Sequence, residues 1–263
     1  MTFAMMRPAL LGALVLAAAA SLGLAAPAAA MTVQPVVIDL KPAGHAGSAA
    51  ITVENTFTTP LPVELTVQSL AFDETGVKPT GKDPGDILVF PPQAIIAPGQ
   101  TQTFRVQWVG DPTLARSQHY FVTVAQLPVK LPEGQSAIQI LYDFQVLVSV
   151  AASQGEPHLT VTAASVSKVA GAKPTDPVKY EPLVTVKNSG PNYGYLSHSR
   201  MTVSERNGAG KEVFKRVLSP EEIQQTLGFG LIGPEVSRTL TIPVELPQPQ
   251  GTVAVELSNA GGR

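Results

Sequence analysis

The chain has 263 residues, no cysteine, 24 prolines and 22 glycines; 44% of it is hydrophobic, only 14% is charged, and the formal net charge is −2. Proline at that density argues against an all-helical fold, since each proline in a helix interior costs about 3 kcal/mol. Absence of cysteine removes disulfide scaffolds, Cys-ligated zinc and cysteine nucleophiles together, and the near-neutral charge offers no field for a nucleic-acid backbone.

Residues 1–30 read as a secretory signal peptide. Arg7 is their only charge, an apolar run extends from Ala9 to Ala26, and Ala28 to Ala30 offer small residues for cleavage. The run is Ala-rich and ends at small residues rather than at a charged stop, which favours a cleaved signal over a membrane anchor. The expected product starts at Met31 and lies outside the cytoplasm without disulfides, a combination that suits a bacterial periplasm or surface.

Short alternating segments follow. Strands are predicted over Val33–Leu40, Ala50–Glu54, Pro62–Gln68, Ile87–Phe90, Thr101–Val109, His119–Leu127 and Ala137–Val150. Turn residues separate them, as in Thr58-Thr59-Pro60 and Pro98-Gly99, and this pattern indicates a β-sandwich. After a polar break at Ala151–Pro157 come His158–Val166, Tyr180–Lys187, Ser197–Glu205, Lys211–Val217, Thr239–Val244 and Thr252–Leu257. One helix is expected over Glu221–Leu227. Ser219 suits its cap, Pro220 its first position, Glu222 completes a capping box and Gly228 stops it. The fold class is therefore all-β: two immunoglobulin-like β-sandwich domains, residues 31–153 and 154–258, with one short helix in the second.

No residue pattern points to catalysis. Gly228-Phe-Gly-Leu-Ile-Gly233 formally matches a dinucleotide fingerprint, yet a helix precedes it and Pro234 follows, the reverse of the strand–turn–helix context that phosphate binding needs. His45, His119, His158 and His198 have no second ligand at metal spacing on one element. There is no nucleophile elbow. No enzyme activity, metal or cofactor is expected.

The informative segment is Ile138–Val150. Ile138, Ile140, Tyr142, Phe144, Val146, Val148 and Val150 share one face of a strand; Gln139, Leu141, Asp143, Gln145, Leu147 and Ser149 share the other. Fully extended, it reaches roughly 40 Å, about twice a common strand, so one end of its apolar face has no core of its own to enter. As the last strand of its domain it has a natural edge position. An open apolar edge can add a strand from another chain; in the free protein it is equally open to self-association.

At this point the sequence resembles the periplasmic pilus-assembly chaperones, the PapD-like family. Val33–Leu40 looks like the family's first strand and Ile51–Asn55, with Pro60 and Pro62, like its second. Val89–Gln100 leading into Phe104-Arg105-Val106 is the most specific match, and Tyr120–Pro128 looks like the strand before the donor strand. Val186–Tyr193 resembles the asparagine-containing strand end of the second domain. The resemblance implies a mechanism: the chaperone lends its strand to a pilus or fibre subunit that lacks one, then passes the complex to an outer-membrane usher. Ile138, Ile140 and Tyr142, with Phe144, would fill the subunit. No nucleotide or other cofactor is implied.

The sequence also departs from the family. Its usual arginine and lysine anchors would stand near Val37 and Leu147, and neither is there. Arg105 and Arg116 remain as nearby candidate cations. A rival expectation is an exported two-sandwich adhesin or carbohydrate binder. Few aromatics and a single tryptophan, Trp108, in a predicted strand argue mildly against it.

Overall fold

The computed structural model describes residues 31–129, 140–171, 173 and 177–259. The expected signal peptide and Ile138 lie outside them. The first half contains β1 (Met31–Gln34), β2 (Val37–Leu40), β3 (Ser48–Asn55), β4 (Leu61–Asp73), β5 (Gly76–Pro79), β6 (Ile87–Phe90), β7 (Gln93–Ile96), β8 (Thr101–Trp108), β9 (Gln118–Gln126) and β10 (Asp143–Val150). One sheet runs β1-β3-β8-β6; the other runs β2-β10-β9-β4-β5, with β7 also on β4. Their inner faces meet in a core that includes Ile51, Val53, Phe104, Val106, Val122, Val124, Val146 and Val148, all fully buried. Burying a side chain such as Phe104 contributes about 2–3 kcal/mol.

Two expectations change here. The strand predicted over Val33–Leu40 is two strands in different sheets. Pro35 has no N–H to donate and a fixed φ, so the ladder of β1 ends before it and the chain crosses to β2. The strand predicted over Pro62–Gln68 runs on to Asp73 and turns back as β5, a hairpin that was not foreseen. Asp73 shapes its turn by accepting from the N–H groups of Thr75 (2.9 Å) and Gly76 (3.1 Å).

The second half contains β11 (Leu159–Val169), β12 (Lys179–Asn188), β13 (Gly194–Tyr195), β14 (Ser199–Arg206), β15 (Glu212–Leu218), α1 (Pro220–Leu227), β16 (Leu231–Ile232), β17 (Ser237–Thr241) and β18 (Thr252–Asn259). Sheets β11-β12-β17 and β15-β14-β18 face each other, and β13 pairs with β16. Val184, Val186, Met201, Val203, Ile223, Ile232 and Ile242 form a second core, separate from the first. The strand expected over Thr239–Val244 ends at Thr241, because Pro243 cannot donate to a ladder; Ile242 and Val244 remain buried beyond it.

The helix forms as its sequence indicates. Ser219 Oγ accepts from Glu222 N–H at 3.2 Å, and the Glu222 carboxylate accepts from Ser219 N–H at 2.9 Å, a complete capping box. Gly228, at φ 69°, ends it in a conformation that L side chains rarely adopt.

Several bonds join the halves. The Asp39 carboxylate, on β2, accepts from Tyr193 (2.7 Å) and Tyr195 (2.8 Å). Asn192 Oδ1 accepts from Ala152 N–H, and Glu74 O, at the β4–β5 turn, from Thr239 N–H (2.7 Å). Arg116 and Glu235 form an exposed ion pair at 2.7 Å. Phe72 lies where a Cβ on Gly233 would stand, so glycine permits that approach. His119 packs edge-on against both Phe72 (4.9 Å) and Tyr193 (5.1 Å).

Candidate functional site

β10 pairs antiparallel with β9 along its whole length, Asp143 opposite Ala125 and Val150 opposite Gln118. Gln126 N–H also bonds Tyr142 O at 2.9 Å, which carries the contact one residue further. By the alternation of an antiparallel ladder, backbone groups of the even-numbered residues then point to β9, and those of Leu141, Asp143 and Gln145 point away from it. On that far side β2 covers only the later half, pairing in parallel with Leu147–Val150. Leu147 N–H donates to Val36 O at 3.0 Å and Ala151 N–H to Leu40 O at 2.9 Å. The expected edge position therefore holds only before Leu147; from there on β10 is an interior strand. Among the described residues regular strand geometry starts at Asp143, past Ile140–Tyr142, while the expected start at Ala137 lies outside the described residues.

The side chains divide at the same place. Val146, Val148 and Val150 are fully buried in the first core. Phe144 is half-buried against it. Tyr142 is 38% exposed, its ring 6.2 Å from that of Phe57, and Ile140 is 70% exposed. One apolar stripe thus leaves the core and is exposed beside a backbone edge that pairs with no strand among the described residues. Such an edge can pair with an extended segment and offer it alternate apolar side chains.

Arg105 is exposed on the outer face of β8, in the opposite sheet, where Nε donates to Ser48 Oγ at 2.9 Å. Arg116 lies before β9, past the Val150 end of β10, and is paired with Glu235. The structure brings neither to the open edge. Val37 and Leu147, which hold no cation, are register partners. Just beyond them a cavity of about 740 Å³ opens between the halves, lined among others by Asp39, Lys41, Asn192, Tyr193, Tyr195 and His198.

Asp39 was not singled out by sequence reasoning. Its signal was available: it is the lone charge in the apolar stretch Val33–Leu40. Burial, then the Asp39 carboxylate, push the Tyr193 hydroxyl well above its usual range, and burial does the same to Tyr195, so both phenols stay protonated and donating. His119, 3% exposed, bonds Ser149 Oγ through Nδ1 at 2.9 Å, and burial pulls its pKa down to about 3, so it is a neutral packed ring. Trp108 is buried beside Tyr120, which withdraws the one tryptophan from any stacking role at the surface. Among the described residues no His, Asp and Glu cluster could hold a metal.

Residues 30–149 match the family model described as pili and flagellar-assembly chaperone, PapD N-terminal domain. Over those residues the chain is similar to a PapD-type chaperone domain. That domain comprises both sheets of the first sandwich and almost all of β10. The family is one of assembly chaperones and not of enzymes. No curated protein matches the sequence as a relative. Among solved structures, the chaperone–tip adhesin complex of CFA/I fimbriae has a TM-score of 0.50 at 14% identity, covering 87% of this chain and 99% of that one. The class 5 fimbriae chaperone CfaA gives 0.49 at 13%, covering 86% and 99%. The CsuC–CsuE chaperone–tip subunit complex of Acinetobacter baumannii gives 0.48 at 12%, covering 81% and 91%. At such identities the likeness is one of fold, and the first of them shares the two-sandwich architecture beyond the PapD-type domain.

Proposed function

We propose that this protein is a periplasmic chaperone of pilus or fibre subunits, which it binds by lending the open half of its β10 edge. We place its domains at residues 31–153 and 154–258, exported behind a cleaved signal over residues 1–30. The observation that carries the reading is the apolar stripe that runs from buried Val150, Val148 and Val146 through half-buried Phe144 to exposed Tyr142 and Ile140. A subunit missing its last strand needs backbone partners and apolar side chains at alternate positions, and this edge supplies both. Ile138, Ile140 and Tyr142 would enter the subunit, with Phe144 as the link to the chaperone's own core. An outer-membrane usher would receive the complex.

The test is co-expression with a fibre subunit. Ile140→Asp should abolish recovery of the subunit and leave the chaperone's own Tm unchanged, because an exposed side chain adds little to stability. Recovery equal to wild type would sink strand donation at this edge.

A further inference from the structure

We infer that Phe57, in the loop between β3 and β4, is a positioning residue for strand donation: it holds the Tyr142 ring at the open edge in the pose in which the partner takes it. The inference rests on the strand-donation reading and adds to β10 a residue from a second element. Tyr142 has little of its own to fix it. Its carbonyl accepts from Gln126 N–H, but regular strand geometry begins one residue later, at Asp143. Its side chain is 38% exposed, between half-buried Phe144 and Ile140, which is 70% exposed. A ring free to change rotamer must be ordered when a partner closes over it, and that cost lowers the affinity.

The Phe57 ring lies 6.2 Å from that of Tyr142, with the planes 39° apart, inside the range in which aromatic pairs attract each other. Among the described residues it is the one ring so placed beside Tyr142. Phe57 is itself held by the core, against which it packs. Its N–H donates to Oδ1 of the fully buried Asn55 at 2.9 Å, and Asn55 Nδ2 donates to Thr59 O at 2.9 Å and to Ile96 O at 2.8 Å. Moving Phe57 away would break a bond to a buried amide. Order therefore passes from the core through Asn55 and Phe57 to a side chain at the binding edge.

The probe is the fibre subunit recovered by co-expression, and the measure is its dissociation constant from the purified chaperone in a double-mutant cycle. Phe57→Leu keeps an apolar side chain on the core and removes the ring. It should weaken binding about fivefold in the wild-type background. In the Tyr142→Ala background, where no ring is left to hold, it should change nothing beyond error. Phe57→Tyr should keep wild-type affinity. In the free chaperone, NMR relaxation should report a Tyr142 ring less ordered in Phe57→Leu than in wild type. A packing role alone would weaken both backgrounds equally; that equal loss, or an unchanged order of the Tyr142 ring, would overturn the positioning role alone. Failure of the wild type to retain any subunit, or retention that survives Ile140→Asp, would overturn strand donation itself.

Discussion

Asn188 at the end of β12 shows how much one side chain can organise. Its Nδ2 donates to Asn192 O (2.7 Å) and Gly233 O (2.9 Å), and its Oδ1 accepts from His158 N–H (3.0 Å) and Gly190 N–H (3.0 Å). Three loops of the second domain thus close on one buried amide. Asn55 does the same work in the first domain, bonding Thr59 O, Ile96 O and Phe57 N–H. Asn188→Ala should cost about 3 kcal/mol in urea unfolding, since each lost bond leaves a backbone group without its partner. His119 sets a pH dependence. Its folded pKa, about 3, lies below the unfolded value of 6.5, so the unfolded chain binds the extra proton between those values. Stability is then fully present above pH 6.5 and falls by about 1.4 kcal/mol per pH unit below it. Urea midpoints between pH 6.5 and 4.5 should therefore slope more steeply for wild type than for His119→Asn; parallel slopes would show that the ring is not the titrating group.

At the scale of elements, the alternation of Ile140–Val150 runs through a buried half and an exposed half, and the sequence period alone does not separate them. Alternation places Ile140 and Val148 on the same face, and only packing into the first core separates the buried residue from the exposed one. Val148→Ala should cost about 2 kcal/mol by leaving a cavity. Ile140→Ala should leave the thermal midpoint within error, and a matching loss at both sites would mean that Ile140 packs into its own domain. The helix α1 was legible in full, because Ser219, Pro220, Glu222 and Gly228 act locally. The hairpin of β5 was not, because Gly76–Pro79 is too short and polar to show a period.

For the whole molecule, the junction rests on neutral donors gathered round one acid rather than on ion pairs. Arg116 and Glu235 are both largely exposed, so their pairing contributes little. Asp39, in contrast, receives two half-buried or buried phenols from the second domain. Asp39→Ala leaves both hydroxyls without that acceptor and should loosen the joint. Calorimetry should then resolve two transitions where wild type gives a single one, with the Arg116→Ala profile close to wild type. A single unshifted transition in Asp39→Ala would place the joint's strength elsewhere, at Asn192 or the Glu74–Thr239 bond.

What the sequence determined by itself was everything encoded in local chemistry. Period-two alternation marked strands in both sandwiches, proline and glycine marked their ends, and a capping box marked the helix. Alternation also drew the apolar stripe that carries the proposed function. Tertiary structure decided what depends on residues far apart in the chain. Pro35 could be seen, but not that it sends β1 and β2 to different sheets. Asp39 could be seen, but its two tyrosines lie more than 150 positions away. Above all, the length of the open edge depended on how far β2 covers β10. That register comes from pairing between distant segments, where neither strand's own pattern states which residues of the other it will meet.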